Sequence, residues 1–408
     1  MTGGERTTGI DRLGARTGAA HPRRRTRTHQ EAPVRYGMNP HQSATLVGDG
    51  PAIRSGAPSM INYLDALNAF ALVRELDELT GRPAAASFKH VSPAGAAVAG
   101  EVDAVARRLW NVEGVAPGSL LSAYVRARDA DPKSSFGDVV ALSRPVDRDT
   151  ADFLRTVIAD AVIAPGFDDG VLEVLSAKRG GRFLVFEADA AAVLPTRERR
   201  EVAGVTLEQD RDTADLAAAL PAGELSDAAR TDALVGMATL RYTQSNSVAF
   251  VHEGAAIGVG AGQQNRVDCV RLAGEKTRTW WLRRHPLVDA LPAVDGMRRQ
   301  DRLNWQIRFA GREMTDRQLQ EFTSLFGAEA AAPYDDLVWR REWVPRIGAV
   351  TMVSDGFLPF RDNVDHAAAA GARVIVEPGG STRTDEVVAA AAEHGITHVQ
   401  TGLRLFHH

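Results

Sequence analysis

Apolar residues recur near helical spacing at Leu64, Leu67, Val73, Leu76 and Leu79, and Gly81-Arg82-Pro83 follows them. The pattern predicts a helix that stops at this Gly/Pro signal. Ala84–Phe88 reads next as a short buried strand that runs out into a loop at Lys89–Gly95. Val139–Leu142 and Val162–Ala164 are further strand candidates. Residues 187–232 are rich in alanine and charge, which predicts helix or connector, and a lobe boundary is expected near 200. Alternation is clearest at the end of the chain. Ala349–Val353 reads as a strand, Asn363–Ala370 as a helix stopped by Gly371, and Arg373–Val376 as a strand. Thr384–His394 follows as a helix with Asp385 and Glu386 in its first turn, where they suit the helix dipole. Ile396–Val399 closes the series as a strand. Strands alternating with helices over short connections predict an α/β fold with a mainly parallel or mixed sheet covered by helices. Residues 276–345 carry five of the six tryptophans and read as a mostly helical insertion. Residues 1–32 have no apolar periodicity and include the basic run Arg23-Arg24-Arg25-Thr26-Arg27, so a disordered basic tail is expected there.

Composition narrows the function classes. The chain has 408 residues, a formal charge of −4, 44% hydrophobic and 25% charged residues. These values are those of a globular chain and give no footprint for nucleic acid. No apolar run approaches the roughly 18–20 residues of a membrane-spanning helix. The single cysteine, Cys269, excludes an internal disulfide and a cysteine-rich metal cluster, and a reducing cytoplasm is the expected compartment. Only four of the 48 basic residues are lysine: Lys89, Lys133, Lys178 and Lys276. Unlike a guanidinium, an ammonium shifts its pKa readily and can donate a proton, which draws attention to Lys89.

Five segments could carry chemistry. In Ser87-Phe88-Lys89-His90-Val91-Ser92-Pro93-Ala94-Gly95 a lysine and a histidine stand where a strand runs out, a common place for ligands in open α/β sheets. Histidine exchanges protons near neutral pH and lysine stabilises developing negative charge; a solvated turn is the plain alternative. Leu240–Ser247 offers hydroxyls, an amide and turned carbonyls, suited to a polar heterocycle, an alkali cation or merely a polar loop. Gly258, Gly260 and Gly262 alternate in Ile257–Arg266. Their spacing fails as a dinucleotide fingerprint but leaves one strand face bare, for a flat ligand or for another backbone. Ser354–Asn363 combines two carboxylates, an arginine and two phenylalanines, with Asp362 also a candidate helix N-cap. The terminal His407-His408 resembles a frayed end, although an apolar strand just precedes it. No His/Cys spacing supports zinc, and neither a nucleophile elbow nor a phosphate loop is present.

In this order the segments resemble the transformylase domain of the bifunctional purine-biosynthesis family. The matching stretches are Arg35–Gln42, Ala84–Ala97, Ser134–Asp138, Tyr242–Val248, Gly260–Arg266, Ser354–Asp365 and Leu403–His408, so the resemblance covers about 33–408. It implies transfer of a formyl group from 10-formyltetrahydrofolate to 5-aminoimidazole-4-carboxamide ribonucleotide. It implies two cytidine deaminase-like lobes without zinc, over 33–200 and 201–408, the second with the helical insertion at about 276–345. It also implies a homodimer with active sites at the interface and a bound potassium ion.

By the same resemblance Lys89, His90, Asn246 and Asp362 are catalytic, and Arg35, Tyr36, Gly137, Asp160, Arg266, Phe357 and Arg404 bind substrate. Phe136, Val267, Phe357, Asp362 and Asn363 border the folate. Leu240, Thr243, Ser245, Ser247, Asp355, Leu405 and His407 are the potassium positions. Gly356 and Leu358 replace a more usual alanine and phenylalanine, and Lys133 stands where many relatives are apolar. Bifunctional members carry a cyclohydrolase domain ahead of the transformylase; only 32 tail-like residues stand there in this sequence, so a transformylase without that domain is expected. The alternative acceptor is a related aminocarboxamide nucleotide, such as a pyrazole analogue of a specialised nucleoside-antibiotic pathway. A non-catalytic nucleotide- or folate-binding regulator is the remaining alternative.

Overall fold

The computed structural model describes Met1 and residues 31–408. The expected tail therefore lies outside the described residues over 2–30. Glu31–Val34 (β1) pairs antiparallel with Ala44–Val47 (β2) in a small separate hairpin.

The body is one mixed sheet of eleven strands. Its first half takes Ala52–Ser55 (β3), Ala84–Phe88 (β4), Pro93–Val98 (β5), Asp138–Leu142 (β6), Ala159–Ala164 (β7) and Leu184–Glu187 (β8). Arg197–Val202 (β9) and Val205–Asp210 (β10) form a second separate hairpin. The other half takes Val248–His252 (β11), Ala255–Gly260 (β12), Val350–Ser354 (β13), Ala372–Glu377 (β14) and Thr397–Gln400 (β15). The order is β15-β14-β13-β11-β12-β5-β4-β6-β7-β8-β3.

The two halves repeat one scheme. In each, a first strand pairs antiparallel with the second and the third, and the third, fourth and fifth run parallel. The halves join through β5 and β12, which pair only at Ala97↔Ala255 and Ala96↔Ala256.

Strand residues alternate between two cores, as a two-residue period dictates. Ala85, Ala97, Val140 and Phe250 face one core, with the helices Leu120–Ala130 and Arg266–Leu282 over them. Ala84, Ala86, Val139 and Ala249 face the other, under the helices Met60–Thr80 and Asp227–Arg241. With both faces covered, the central strands read as near-continuous apolar runs, which is why β4 was legible. The first helix ends as its sequence predicts: Gly81 takes a left-handed φ of 67° and its N–H reaches Asp77 O.

Close packing settles the glycine question. A Cβ at Gly258 would collide with Ala273 O, and one at Gly260 with Cys269 O, so these glycines admit the backbone of the helix Arg266–Leu282 rather than a flat ligand. Residues 187–232 depart from expectation in part: 197–210 is a hairpin, while Leu216–Ala219 and the start of Asp227–Arg241 are helical. Ala203 and Gly204, both at positive φ, make the tight turn that matches strand twist. Cross-strand pairs such as Arg199–Glu208 at 2.7 Å use the charges that suggest helix or connector in the sequence. From Arg266 to Ile347 every regular element is helical, and Trp305, Phe309, Phe322 and Trp339 pack into a third core. Among the described residues no helix is long and apolar enough to cross a membrane.

Candidate active site

Strand β4 delivers Lys89 and His90 to one edge of the sheet. Its register puts Phe88 opposite both Pro93 and Val139, so Asp138 and Gly137 emerge at the same edge. A buried polar knot fastens the two segments. Ser87 Oγ lies 2.6 Å from Asp138 Oδ2 and 2.7 Å from Ser135 Oγ, and Arg128 donates to Asp138 Oδ1 at 2.9 Å. By donating to the carboxylate, Ser87 is left to accept from Ser135. With this anchorage Lys89 Nζ donates to Phe136 O at 2.7 Å. Gly137 takes a φ of 73°, and a Cβ there would stand 3.7 Å from the Asp160 carboxylate, which itself pairs with Arg179. Lys89, His90, Phe136, Gly137 and Asp160 thus form one cluster.

The backbone at His90 and Val91 is left-handed, with φ of 56° and 57°, a rare state for a β-branched residue. Asp65, buried on the helix Met60–Thr80, holds it there by accepting the Val91 N–H at 2.6 Å. Burial pushes the Asp65 carboxyl up, while that N–H and the charges of His90 and Lys89 pull it down. Asp65 was missed in the sequence, although a carboxylate in the buried stripe Asp65, Ala66, Ala69, Leu72, Val73 and Leu76 is a visible signal. Asp65→Ala orphans a half-buried donor and is expected to lower stability by about 1–3 kcal/mol in urea denaturation. Asp65→Asn, which keeps an acceptor oxygen, should recover most of that loss; equal losses would mean that charge rather than acceptance matters.

A second cluster gathers around Asp355 at the end of β13. Val248 lies opposite both Ser354 and Gly260, so Ser247, Asp355 and the 261–265 loop share the edge that carries Lys89. Asp355 Oδ2 accepts from Ser245 Oγ at 2.5 Å, Ser247 N at 3.0 Å and Ser247 Oγ at 2.9 Å. Arg266, buried at the start of its helix, pairs with Asp355 Oδ1 and donates to Asn246 Oδ1 at 2.8 Å. Asn246 Nδ2 donates to Gln263 O at 3.0 Å. Gly356 leaves the room that Arg266 and the Phe406 ring occupy.

The C-terminal segment docks here rather than fraying. Ser245 N donates to His407 O at 2.9 Å, His407 N to Ser245 Oγ at 3.1 Å, and Leu405 N to Asp355 O at 2.9 Å. Burial lowers the His407 pKa. Leu240 and Thr243 lie in the turn just before, where Thr243 N donates to Leu240 O at 3.0 Å. The seven positions expected for potassium lie along this docked segment, the 240–247 turn and Asp355, where hydroxyl, carboxylate and carbonyl oxygens of the hard kind stand.

The remaining positions lie outside these hydrogen-bond networks. Phe357 and Asp362 are exposed on the chain that follows Asp355, and Val267 is half-buried. Asn363 donates to Asp362 Oδ1 at 2.8 Å, and its own buried Oδ1 has no hydrogen-bond partner. Asp362 is the first residue of its helix and not the N-cap, which is Arg361. Arg404 is exposed and stacks over Phe406. Arg35 donates to Tyr36 Oη at 2.8 Å, apart from both clusters.

Among the described residues no hydrogen bond or ion pair joins Lys89 or His90 to Asn246 or Arg266. The one link between these loops is Gln244 N donating to Ser92 Oγ at 3.4 Å. The ladder between β5 and β12 has ended before this edge, which leaves the clusters on two lips of a splayed seam. A cleft of about 260 Å³ opens on the Lys89 side, roofed by the helix Arg299–Gly311, which sequence reasoning had not tied to the site.

Residues 10–276 match the model of a family described as the AICARFT/IMPCHase bienzyme. Proteins named bifunctional purine biosynthesis protein PurH are similar over nearly the whole chain. That of Magnetococcus marinus is 32% identical over 399 residues, covering 92% of this chain and 59% of the relative. That of Roseobacter denitrificans is 32% identical over 388 residues, with the same coverage of 92% and 59%. That of Cereibacter sphaeroides is 32% identical over 406 residues, covering 96% and 62%. The chain thus spans about 60% of the length of these curated relatives.

Proposed function

The chain belongs to the AICARFT/IMPCHase bienzyme family, and from that premise we propose that it is a folate-dependent formyltransferase. It moves a formyl group from 10-formyltetrahydrofolate to the 5-amino group of 5-aminoimidazole-4-carboxamide ribonucleotide, in the purine biosynthesis of the cytoplasm. The observation that carries this reading is the Lys89–His90 turn, anchored from below by Asp65 and from the side by Asp138, on the sheet edge that also holds Asn246 and Arg266.

The acceptor amine is conjugated with an electron-poor ring and a carboxamide, so it is a weak nucleophile. Its attack forms a bond to the formyl carbon and creates an oxyanion and a cationic nitrogen. His90 takes the amine proton. Lys89 and Asn246 stabilise the oxyanion and orient the carboxamide. Breaking the carbon–N10 bond releases tetrahydrofolate, with Asp362 assisting proton delivery to N10. Arg35, Tyr36 and Arg404 hold the phosphate, Arg266 the heterocycle, and Gly137 and Asp160 the ribose, which fixes acceptor against donor. Phe136, Val267, Phe357 and Asn363 border the folate; the partnerless Asn363 Oδ1 suits a ligand N–H.

The repeated strand scheme supports two cytidine deaminase-like lobes, over 33–200 and 201–408, the second with the helical insertion at 276–345. The separation of the Lys89 and Asn246 clusters within one chain supports a homodimer in which one copy supplies each half of a site. A potassium ion would be held by Leu240, Thr243, Ser245, Ser247, Asp355, Leu405 and His407, where it would contribute a fixed positive charge. Incubation with 10-formyltetrahydrofolate and the imidazole nucleotide, followed by mass spectrometry, is expected to give the nucleotide with one hydrogen replaced by formyl. Recovery of unchanged nucleotide from the folded protein would overturn the assignment.

A further inference from the structure

The loop that follows β13 turns its residues alternately out and in. Phe357 and Phe360 are 48% and 49% exposed, while Leu358 between them is 1% exposed. Two exposed rings beside one buried anchor suit a segment that offers aromatic surface to a ligand. Each end of the loop is tied within itself. Ser354 Oγ donates to Gly356 O at 2.7 Å, and Asn363 donates to Phe360 O from its backbone N at 3.2 Å and from Nδ2 at 3.0 Å. Among the described residues a single hydrogen bond joins residues 356–360 to the rest of the protein: Leu358 N donates to Glu377 Oε2 at 3.2 Å.

Glu377 is the last residue of β14 and is 3% exposed. Its Oε2 accepts a second backbone donor, Gly379 N, at 2.9 Å. Its backbone O accepts Thr401 N at 3.0 Å, where the chain leaves β15 for the docked C-terminal segment. His398 of β15 brings Nε2 to 3.2 Å from Glu377 Oε1, in a contact not aligned as a hydrogen bond. The two amides, rather than the imidazole, therefore set the carboxylate. Further along the same segment Arg383 lies over the Phe360 ring at 5.0 Å. If Glu377 let go, the Leu358 N–H would have to reach water, which draws the Leu358 side chain from its core and turns Phe357 with it.

We propose that Glu377 is a positioning residue for the folate donor: by accepting the Leu358 N–H it fixes the loop that presents Phe357 and Asn363, and it acts through its reach rather than its charge. The inference rests on the formyl-transfer reading and adds to it a buried side chain outside the reacting groups.

The test compares Glu377→Gln, which keeps the reach and an acceptor oxygen, with Glu377→Asp, which keeps the carboxylate and is one methylene shorter. Calorimetric titration of tetrahydrofolate and of the imidazole nucleotide accompanies steady-state kinetics. Urea denaturation checks folding, and mass spectrometry follows hydrogen exchange across 354–363. Glu377→Asp is expected to weaken tetrahydrofolate binding and raise the donor KM by roughly five- to fifty-fold, the scale of one lost hydrogen bond to a charged acceptor. It should also speed exchange at 354–363, and kcat at saturating donor should change less than KM. Its nucleotide affinity should stay within about twofold of the wild type, as for a site with no shared partners. Glu377→Gln should resemble the wild type in all of these. A glutamine variant that loses donor affinity as the aspartate variant does would make charge the cause and overturn the proposal. So would an aspartate variant that lowers the urea midpoint and leaves the donor constants alone, or one that weakens both substrates equally. Glutamine removes no contact, so its result decides between reach and charge even if the aspartate variant does not fold. A wild type that neither binds folate nor transfers formyl overturns the formyl-transfer reading and this role with it. A wild type that transfers formyl, beside two variants that match it, overturns the role alone.

Discussion

Replacing His90 with alanine is expected to slow formyl transfer by roughly 10²–10⁴-fold, the contribution of a positioned general base. In the proposed reaction the acceptor amine shares its lone pair with the ring and carboxamide, so its attack is productive only if the proton leaves as the bond forms. His90 is exposed beside Lys89, and among the described residues its side chain has no hydrogen-bond partner, so it is free to meet a substrate. The substitution removes no buried contact. Asp65 still holds the turn through Val91, although alanine tolerates the left-handed φ of 56° less well than histidine does. A second variant, His90→Asn, keeps a residue type tolerant of that backbone state while removing the base. Both should bind the nucleotide nearly as the wild type does, measured by calorimetry, and both should lose turnover at saturating substrates. A near wild-type rate in either would take His90 out of the reaction.

The parts of this site differ in how readable they are, for a physical reason. Lys89 and His90 stand out in the sequence because a run buried on both faces ends abruptly in polar and Pro/Gly residues, and a chain leaving a sheet must satisfy or expose its groups there. The α/β alternation after residue 349 is equally plain, since short connections leave each element its own period. What holds the turn is less visible. Asp65 lies two elements earlier, and only burial distinguishes it from the exposed acids of an ordinary helix. Arg128 and Asp138 look like surface charges until the fold encloses both. The roof of the Lys89 cleft comes from residues 299–311, whose approach depends on how the tryptophan-rich helices pack rather than on any local signal. The alternating glycines permitted a ligand or a backbone, and only the placed helix decides between them. The hairpin at 197–210 was misread because charges spaced for cross-strand pairing resemble those of a solvated helix.

The largest expected effect on stability lies in the knot beneath Lys89. Asp138 is fully buried and Arg128 is 1% exposed. Asp138→Ala would leave a guanidinium in the core without its counter-charge, and would also deprive Ser87 of its acceptor. Breaking one side of such a pair typically destabilises by about 3–5 kcal/mol. Removing both charges is different in kind, because the desolvation penalty of the pair disappears with its attraction. Arg128→Met with Asp138→Val should therefore be more stable than Asp138→Ala alone. Guanidinium denaturation followed by tryptophan fluorescence tests this through the midpoint, with five of the six tryptophans in 276–345 and Trp110 nearer the knot. Trp110 is the better reporter, since Arg128 lies over its ring at 5.7 Å. A loss below about 1 kcal/mol on Asp138→Ala, the scale of an exposed pair, would mean that water reaches Arg128 and that the knot does not fix the Lys89 edge. A loss of the expected size together with a double variant that folds but transfers formyl slowly would assign the knot its purpose: it sets Phe136 against Lys89, and the fold tolerates a buried ion pair because the site needs that register.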